Sequence, residues 1–389
     1  MQLLKKIIFP SLACVSLLFG TACKNGKEKY TVYTNLPQGA YTLTEKNFDT
    51  VEIGGYTPNE QSFPEEDTSS YTTRGYTLYA MFTDAEIIVA DDFTKEGAEE
   101  KYKQFKSDLS ALLTEVSKCV SSTVNDSDIY NFNNAKAGAT LEIGKTAYEV
   151  LSTAKSVYTF TEGFYNPALY YNIHAYGFSG ESSHPESAED LPDDALIAKY
   201  TDLAKRFGEV TLEEKEGRYF VTKPAYTVEA DGEVISLKLD LGGVGKGYAV
   251  DKIDALYEKY GYNYGYTSFG ASSMVLKSNF KTGPYTLVLT NPRSISQDAF
   301  IHIPARGEKL STSGDNEQFY RIDGTRYCHI IDPETGKPVQ KGIMSVTVIG
   351  GSAAEDDALT TAIMCMGKER AVKFIEEKLT DKKVVFTCE

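Results

Sequence analysis

Leu239-Asp-Leu-Gly-Gly-Val-Gly-Lys-Gly-Tyr-Ala-Val-Asp251 is the stretch from which fold and chemistry are read together. β-Favouring residues run up to Leu239, glycines follow at 242, 243, 245 and 247, and a helical pattern of apolar residues occupies 251–260. The expected order is strand, glycine-lined turn, helix. Closely spaced glycines let a backbone come near a ligand, and the start of a helix offers free N–H groups to phosphate. Lys246 adds a mobile positive charge inside the turn. The spacing is neither GxxxxGK[ST] nor GxGxxG, so neither of those nucleotide-binding fingerprints applies. A plain strand-to-helix turn with Lys246 in solvent fits the same residues, and the rest of the chain has to decide.

Outward from that stretch, apolar residues at helical spacing occupy 96–119 (Tyr102, Phe105, Leu109, Leu112, Leu113, Val116), 145–158 and 196–207. Strand-like runs fall at 75–82, 86–90, 209–212, 219–222, 226–230 and 234–239, then at 273–277, 285–290, 299–304 and 343–349. A long helix is expected over 355–379, with a break at Gly367. Strands and helices mix without a βαβ rhythm, which predicts an α+β fold of mixed and antiparallel sheets with packed helices.

The chain has 389 residues, 41% of them hydrophobic and 24% charged, enough for a folded body of one large domain or two ordinary ones. Its net charge of −15 repels phosphate backbones and argues against nucleic acid as a partner. A phosphate-bearing ligand would need a local remedy: a cation, a helix N-terminus or a placed lysine. Residues 1–22 read as a signal peptide of lipoprotein type, with Lys5 and Lys6 before a short apolar run and Gly20-Thr21-Ala22 before Cys23. Lipid on Cys23 would anchor the chain to a bacterial membrane on its periplasmic or extracytoplasmic face. Residues 23–75 read as a tether with irregular structure, and 76–389 as the main folded domain. Cys119, Cys328, Cys365 and Cys388 show no CxxC spacing, so they suggest no zinc site and are taken as structural.

Two further constellations follow. The first is Ser311-Thr-Ser-Gly-Asp315 and then Arg321 to Gly336. Asp323-Gly324 reads as a hairpin turn, 327–331 as the returning strand and 332–336 as the next turn. His329, one of four histidines, would sit on that strand and could serve as a general base near pH 7. The second is Glu355-Asp-Asp-Ala-Leu-Thr-Thr-Ala362. Residues four apart share a helix face, so Asp357 and Thr361 would point together from the first turn. One carboxylate and one hydroxyl form a sparse oxygen set of the kind that suits Mg2+. Acidic residues also favour helix starts for electrostatic reasons, and Asp356 could simply cap.

Taken in order, these segments resemble the FAD:protein FMN transferases, the ApbE-type flavin transferases, from about Met81 to Gly367. The family pattern DLGG-x-x-KGYA-x-D matches 240–251, STSG matches 311–314, H-x-IDP-x-TG matches 329–336 and DAL-x-T matches 357–361. Weaker echoes lie at 126–133 and 161–167, and Tyr176-Gly-Phe178 stands where the family has W-G-F. The resemblance implies a T-fold-related architecture, FAD as substrate and Mg2+ as cofactor. It implies that Asp240 and Lys246 contact FAD, that Ile331 lines the flavin pocket, and that Met81, Phe164, Tyr165 and Asn166 border it. Asp357, Thr361 and the Gly243 carbonyl would hold Mg2+, with Thr360 behind them, and His329 would deprotonate the acceptor hydroxyl. That hydroxyl, on a Thr or Ser of a membrane redox protein, would take the FMN phosphate and release AMP. The same machinery with water as acceptor would be an FAD pyrophosphatase, and without turnover a flavin-binding lipoprotein. Four features depart from the family: Phe82 replaces the Gly of MGT, Thr123 an aromatic residue, Asn166 an Asp, and 266–272 the N-x-GGN segment. They imply a reshaped flavin pocket.

Overall fold

A computed structural model describes residues 31–34, 42–44, 49–52, 67–179, 183–279, 285–289, 292–293, 299–303 and 307–388. The signal peptide and Cys23 lie outside the described residues. Among these residues the main sheet has nine strands: β1 (Thr31–Thr34), β2 (Asp49–Glu52), β3 (Thr72–Ala80), β4 (Thr83–Asp91), β5 (Tyr264–Phe269), β6 (Ser273–Leu276), β7 (Glu308–Gly314), β8 (Ile343–Gly350) and β9 (Lys383–Cys388). Their order is β2-β1-β9-β8-β7-β6-β5-β4-β3, antiparallel throughout except for the β1–β2 pair. The helices are α1 (Ala98–Val120), α2 (Asp128–Asn134), α3 (Lys145–Phe160), α4 (Tyr170–Ala175), α5 (Asp194–Ala204), α6 (Gly242–Lys259), α7 (Ala353–Met366) and α8 (Lys368–Lys378). The α+β class expected from the sequence is the class observed.

The pattern of burial explains the layering. In β4, Ala85, Ile87 and Val89 are buried and alternate with more exposed residues, so one face meets the helices. Phe105, Leu109, Leu113 and Val116 of α1 recur at helical spacing, and all are buried. α6 and α7 pack on the sheet and on each other, with Gly247 of α6 meeting Ala353 at the start of α7. β9 is buried along its whole length, including Lys383 and Thr387, as expected of a central strand.

Several expectations shift. The helix expected over 251–260 begins at Gly242, so the glycine-lined turn is itself helical, with a kink at Gly243 (φ −86°, ψ 17°). Glycine is a poor helix former, which is why the pattern hid this start. The contact with α7 explains it: a Cβ on Gly247 would lie 2.1 Å from the Ala353 carbonyl oxygen. The strand over 234–239 is shorter, Glu233–Ser236. The break at Gly367 is real, and it separates α7 from α8. The stretch read as tether contains β1, β2, the strand Thr42–Thr44 and the start of β3. Cys119, Cys328 and Cys365 are free thiols. Among the described residues no helix is long and apolar enough to cross a membrane.

Candidate active site

Asp251 fixes α7 relative to α6. Its carboxylate accepts the N–H groups of Ala353 (3.0 Å) and Ala354 (3.0 Å) and the hydroxyl of Ser352 (2.8 Å), and it pairs with Lys309 (3.0 Å). The first turn of α7 is therefore capped from another helix as well as by Ser352. Asp356, expected as a cap, is instead wholly buried and bonded to Lys382 at 2.8 Å, twenty-six residues further on. Burial pushes its carboxyl up to about 7 against the pull of Lys382.

The serines of the 311–314 segment bind β7 to α7. Ser311 donates to the Ala353 carbonyl (3.1 Å) and Ser313 meets the Thr360 hydroxyl (2.8 Å). Thr312, on the other face of the strand, meets Thr347 of β8 (2.8 Å). Alternation along the strand puts both serines toward the helix. Thr360 also donates to the Asp357 carbonyl (2.7 Å), which holds that turn of α7 in place.

Asp357 and Thr361 face the start of α6. The N–H of Gly247, which a regular helix would give to the Gly243 carbonyl, is engaged by Asp357 Oδ2 at 3.1 Å. A Cβ on Gly243 would stand 3.4 Å from Thr361 Oγ1 and 3.4 Å from the Tyr165 ring, so the backbone comes close to both. Asp357 is 2% exposed, and burial raises its carboxyl while Lys246 and the Gly247 N–H oppose the rise. Its other oxygen has no hydrogen-bond donor among the described residues. A buried carboxylate so sparsely compensated fits a small divalent cation completed by the Thr361 hydroxyl and the Gly243 carbonyl. Among the described residues no group of three or more His, Cys, Asp or Glu gathers as a metal cluster.

Lys246 donates to the Gly242 carbonyl (3.2 Å). Burial would lower its pKa, but Asp357, Glu317 and Asp240 more than offset this and hold it raised. Asp240 is half-buried and accepts the Gly242 N–H at 2.8 Å. Glu317, which the sequence reading passed over, joins this group: burial pushes its carboxyl up to about 7, with Lys246 opposing and Asp357 adding to the rise. Lys246 and His329 are partly exposed and Glu317 is exposed at its surface, although protein atoms crowd around all three. Tyr165 packs against the start of α6 at Gly243. Its hydroxyl is buried without a partner, and burial followed by the charges of Asp357 and Asp240 keeps it protonated.

His329 lies just beyond the strand Thr325–Cys328 rather than on it. The expected turn is present: Asp323 and Gly324 both have positive φ and join Phe319–Ile322 to Thr325–Cys328. The His329 N–H donates to the Gln318 carbonyl (3.1 Å), and its Nδ1 is buried without a partner among the described residues. Burial, then the charge on Lys246, lowers its pKa to about 4, so the imidazole is neutral at pH 7. The following turn is locked by Gly336, where a Cβ would lie 1.9 Å from the Thr201 hydroxyl, and by Asn172 bonding the Gly336 carbonyl at 3.0 Å.

The remaining expected residues divide. Met81 reaches α6, its sulfur 3.5 Å from where a Cβ on Gly245 would be. Ile331 is buried, and its carbonyl accepts the Cys365 thiol (3.4 Å) one helical turn beyond Thr361. Phe164 and Asn166, expected at the pocket edge, have their described contacts with other groups. The Phe164 ring lies under Arg370 (4.7 Å) and Lys341 (5.5 Å). The Asn166 amide donates to the Ala204 carbonyl (3.1 Å) and accepts the Ala168 N–H (3.0 Å), which fixes the local turn.

The profile of the ApbE family matches residues 81–386. A protein of Klebsiella pneumoniae called FAD:protein FMN transferase is 26% identical over 280 residues, 72% of this chain and 76% of its own length. One of Vibrio cholerae with the same name is 27% identical over 277 residues, 70% of this chain and 77% of that one. The solved flavin transferase ApbE of Vibrio cholerae superposes with a TM-score of 0.66 at 23% identity, covering 81% of this chain and 93% of that one. The ApbE protein of Thermotoga maritima gives 0.65 at 24%, covering 81% and 94%. A match spanning most of the chain, over the segments that build this site, shows that the chain belongs to the ApbE family.

Proposed function

We propose that this chain transfers the FMN half of FAD to a Thr or Ser hydroxyl of an acceptor protein, with Mg2+ as cofactor and AMP as the leaving product. The observation that carries this reading is the meeting of Asp357, Thr361 and the kinked glycine start of α6 beside Lys246 and a neutral His329. The names of the relatives add weight to flavin transfer.

Mg2+ held by Asp357, Thr361 and the Gly243 carbonyl would neutralise charge on the pyrophosphate of FAD. Lys246 balances the same charge from the helix start, where free N–H groups favour phosphate. The acceptor oxygen forms its bond to the FMN phosphorus while the bridging P–O bond breaks and AMP departs with that electron pair. His329 takes the hydroxyl proton through its unpartnered Nδ1. Free of ligand it is a weak base, because burial and then the charge on Lys246 disfavour its charged form. Bound pyrophosphate would offset the Lys246 part of that shift and raise the basicity of His329.

Incubation with FAD, Mg2+ and an exported acceptor domain should leave a fluorescent flavin on the acceptor in a denaturing gel. No covalent flavin with any acceptor, together with no FAD consumption, would sink the reading. Export and lipid attachment at Cys23 form part of the same proposal, supported by residues 5–23. On this view the acceptor belongs to a membrane redox complex facing the same compartment. Cys23→Ala should move the protein from the membrane fraction to the soluble one.

A further inference from the structure

Two of the four departures from the family pattern, Phe82 and the 266–272 segment, meet in adjacent hairpin turns beside the start of α6. The β3–β4 hairpin closes through Met81 and Phe82, with φ of 48° and 62°. The β5–β6 hairpin closes beside it through Gly270 and Ala271, with φ of 61° and 56°. The two turns touch: the Gly270 N–H donates to the Asp84 carbonyl (2.8 Å), and a Cβ on Gly270 would lie 2.8 Å from the Thr83 hydroxyl. Met81 connects the pair to Gly245, the residue before Lys246. Val120, near Thr123, touches Gly245 from the other side.

Phe82 carries two local costs. A bulky side chain is unfavourable in the left-handed region, where such turns usually hold Gly or Asn. The residue is also 85% exposed, as is Tyr79 of the same hairpin at 72%. Neither cost is repaid by packing among the described residues, and backbone strain of this kind collects at ligand clamps. The ring stands on the turn that meets the phosphate-binding start of α6.

We propose that Phe82 is a stacking residue that holds a planar heteroaromatic ring of the bound dinucleotide beside the start of α6. The inference rests on the flavin reading above. The two rings of FAD, isoalloxazine and adenine, share this chemistry.

The test measures FAD, FMN and AMP binding to the whole chain by titration calorimetry, for the native protein and for Phe82→Gly, Phe82→Asn and Phe82→Tyr. Gly and Asn keep the left-handed turn and remove the ring. They should weaken FAD about 5- to 100-fold, while Tyr stays within about twofold of the native value. The urea midpoint should hold or rise in Phe82→Gly, whereas a packing role would lower it. Loss in the FMN arm assigns the isoalloxazine, and loss in the AMP arm the adenine. Unchanged FAD affinity in the Gly and Asn variants, with a native protein that binds FAD, overturns this inference alone. A native protein that binds no FAD overturns the flavin reading itself.

Discussion

Gly247→Ala probes the crossing on which the whole site depends. The new Cβ would lie 2.1 Å from the Ala353 carbonyl oxygen, 2.5 Å from its carbon and 2.8 Å from the Ala354 Cα. These are backbone atoms, so no rotamer change relieves them. The two helices must part by about 0.9 Å to reach the 3.0 Å below which such contacts are essentially never seen. Overpacking of this kind costs about 1–3 kcal/mol. Parting also strains the Gly247 N–H bond to the buried Asp357, worth a further ~1.5–3 kcal/mol. The better helix propensity of alanine returns about 1 kcal/mol. The net loss should be about 2–4 kcal/mol in urea unfolding. A misplacement near 1 Å at the reacting groups should cost on the order of 100-fold in FAD turnover. Gly245→Ala is the control, because its Cβ would meet Met81 and Val120 at an ordinary 3.5 Å. It should be neutral or stabilising. Equal behaviour of the two variants would refute the claim that the closeness of α6 and α7 builds the site.

Asp251→Asn removes the charge that caps α7 and pairs with Lys309, and should cost about 2–4 kcal/mol, read by thermal unfolding. Lys382→Met leaves the Asp356 carboxylate buried without its partner; a loss near 3 kcal/mol is expected in urea unfolding, and less than 1 kcal/mol would contradict the pairing. Thr361→Val should reduce FAD turnover at low Mg2+ at least tenfold, recoverable in part at high Mg2+, with little change in stability. His329 gives a pH signature. The unfolded imidazole protonates near 6.5 but the folded one only near 4, so stability present above pH 6.5 falls as pH drops toward 4. The loss is up to ~3 kcal/mol, and His329→Gln should flatten it when urea midpoints are compared between pH 7.5 and 4.5.

Much of the site was legible because its residues cluster in short segments. The Asp357 and Thr361 pair follows from helical spacing alone, and the Asp323-Gly324 turn from the backbone freedom of its residues. What stayed hidden depends on distant contacts. Gly242 to Gly247 read as a loop because glycine disfavours helices, yet only glycine lets α6 meet Ala353. Asp356 read as a cap because its partner Lys382 lies in another element. Glu317 has no local pattern, and its closeness to Lys246 and Asp357 exists only after β7 packs on α7. The contacts of Asn166 with Ala204 and of Phe164 with Arg370 join distant parts of the chain, so no local pattern announces them. β9 was missed because Lys383 and Thr387 look like surface residues, whereas the strand lies inside the sheet.

The most direct measurement counts products. The protein, an acceptor domain, FAD and Mg2+ are incubated, and AMP is measured together with the mass of the acceptor. The account predicts one AMP released for each FMN, less one water, added to a hydroxyl of the acceptor, with both lost in Asp357→Ala. AMP released alongside free FMN, with the acceptor unmodified, would contradict it.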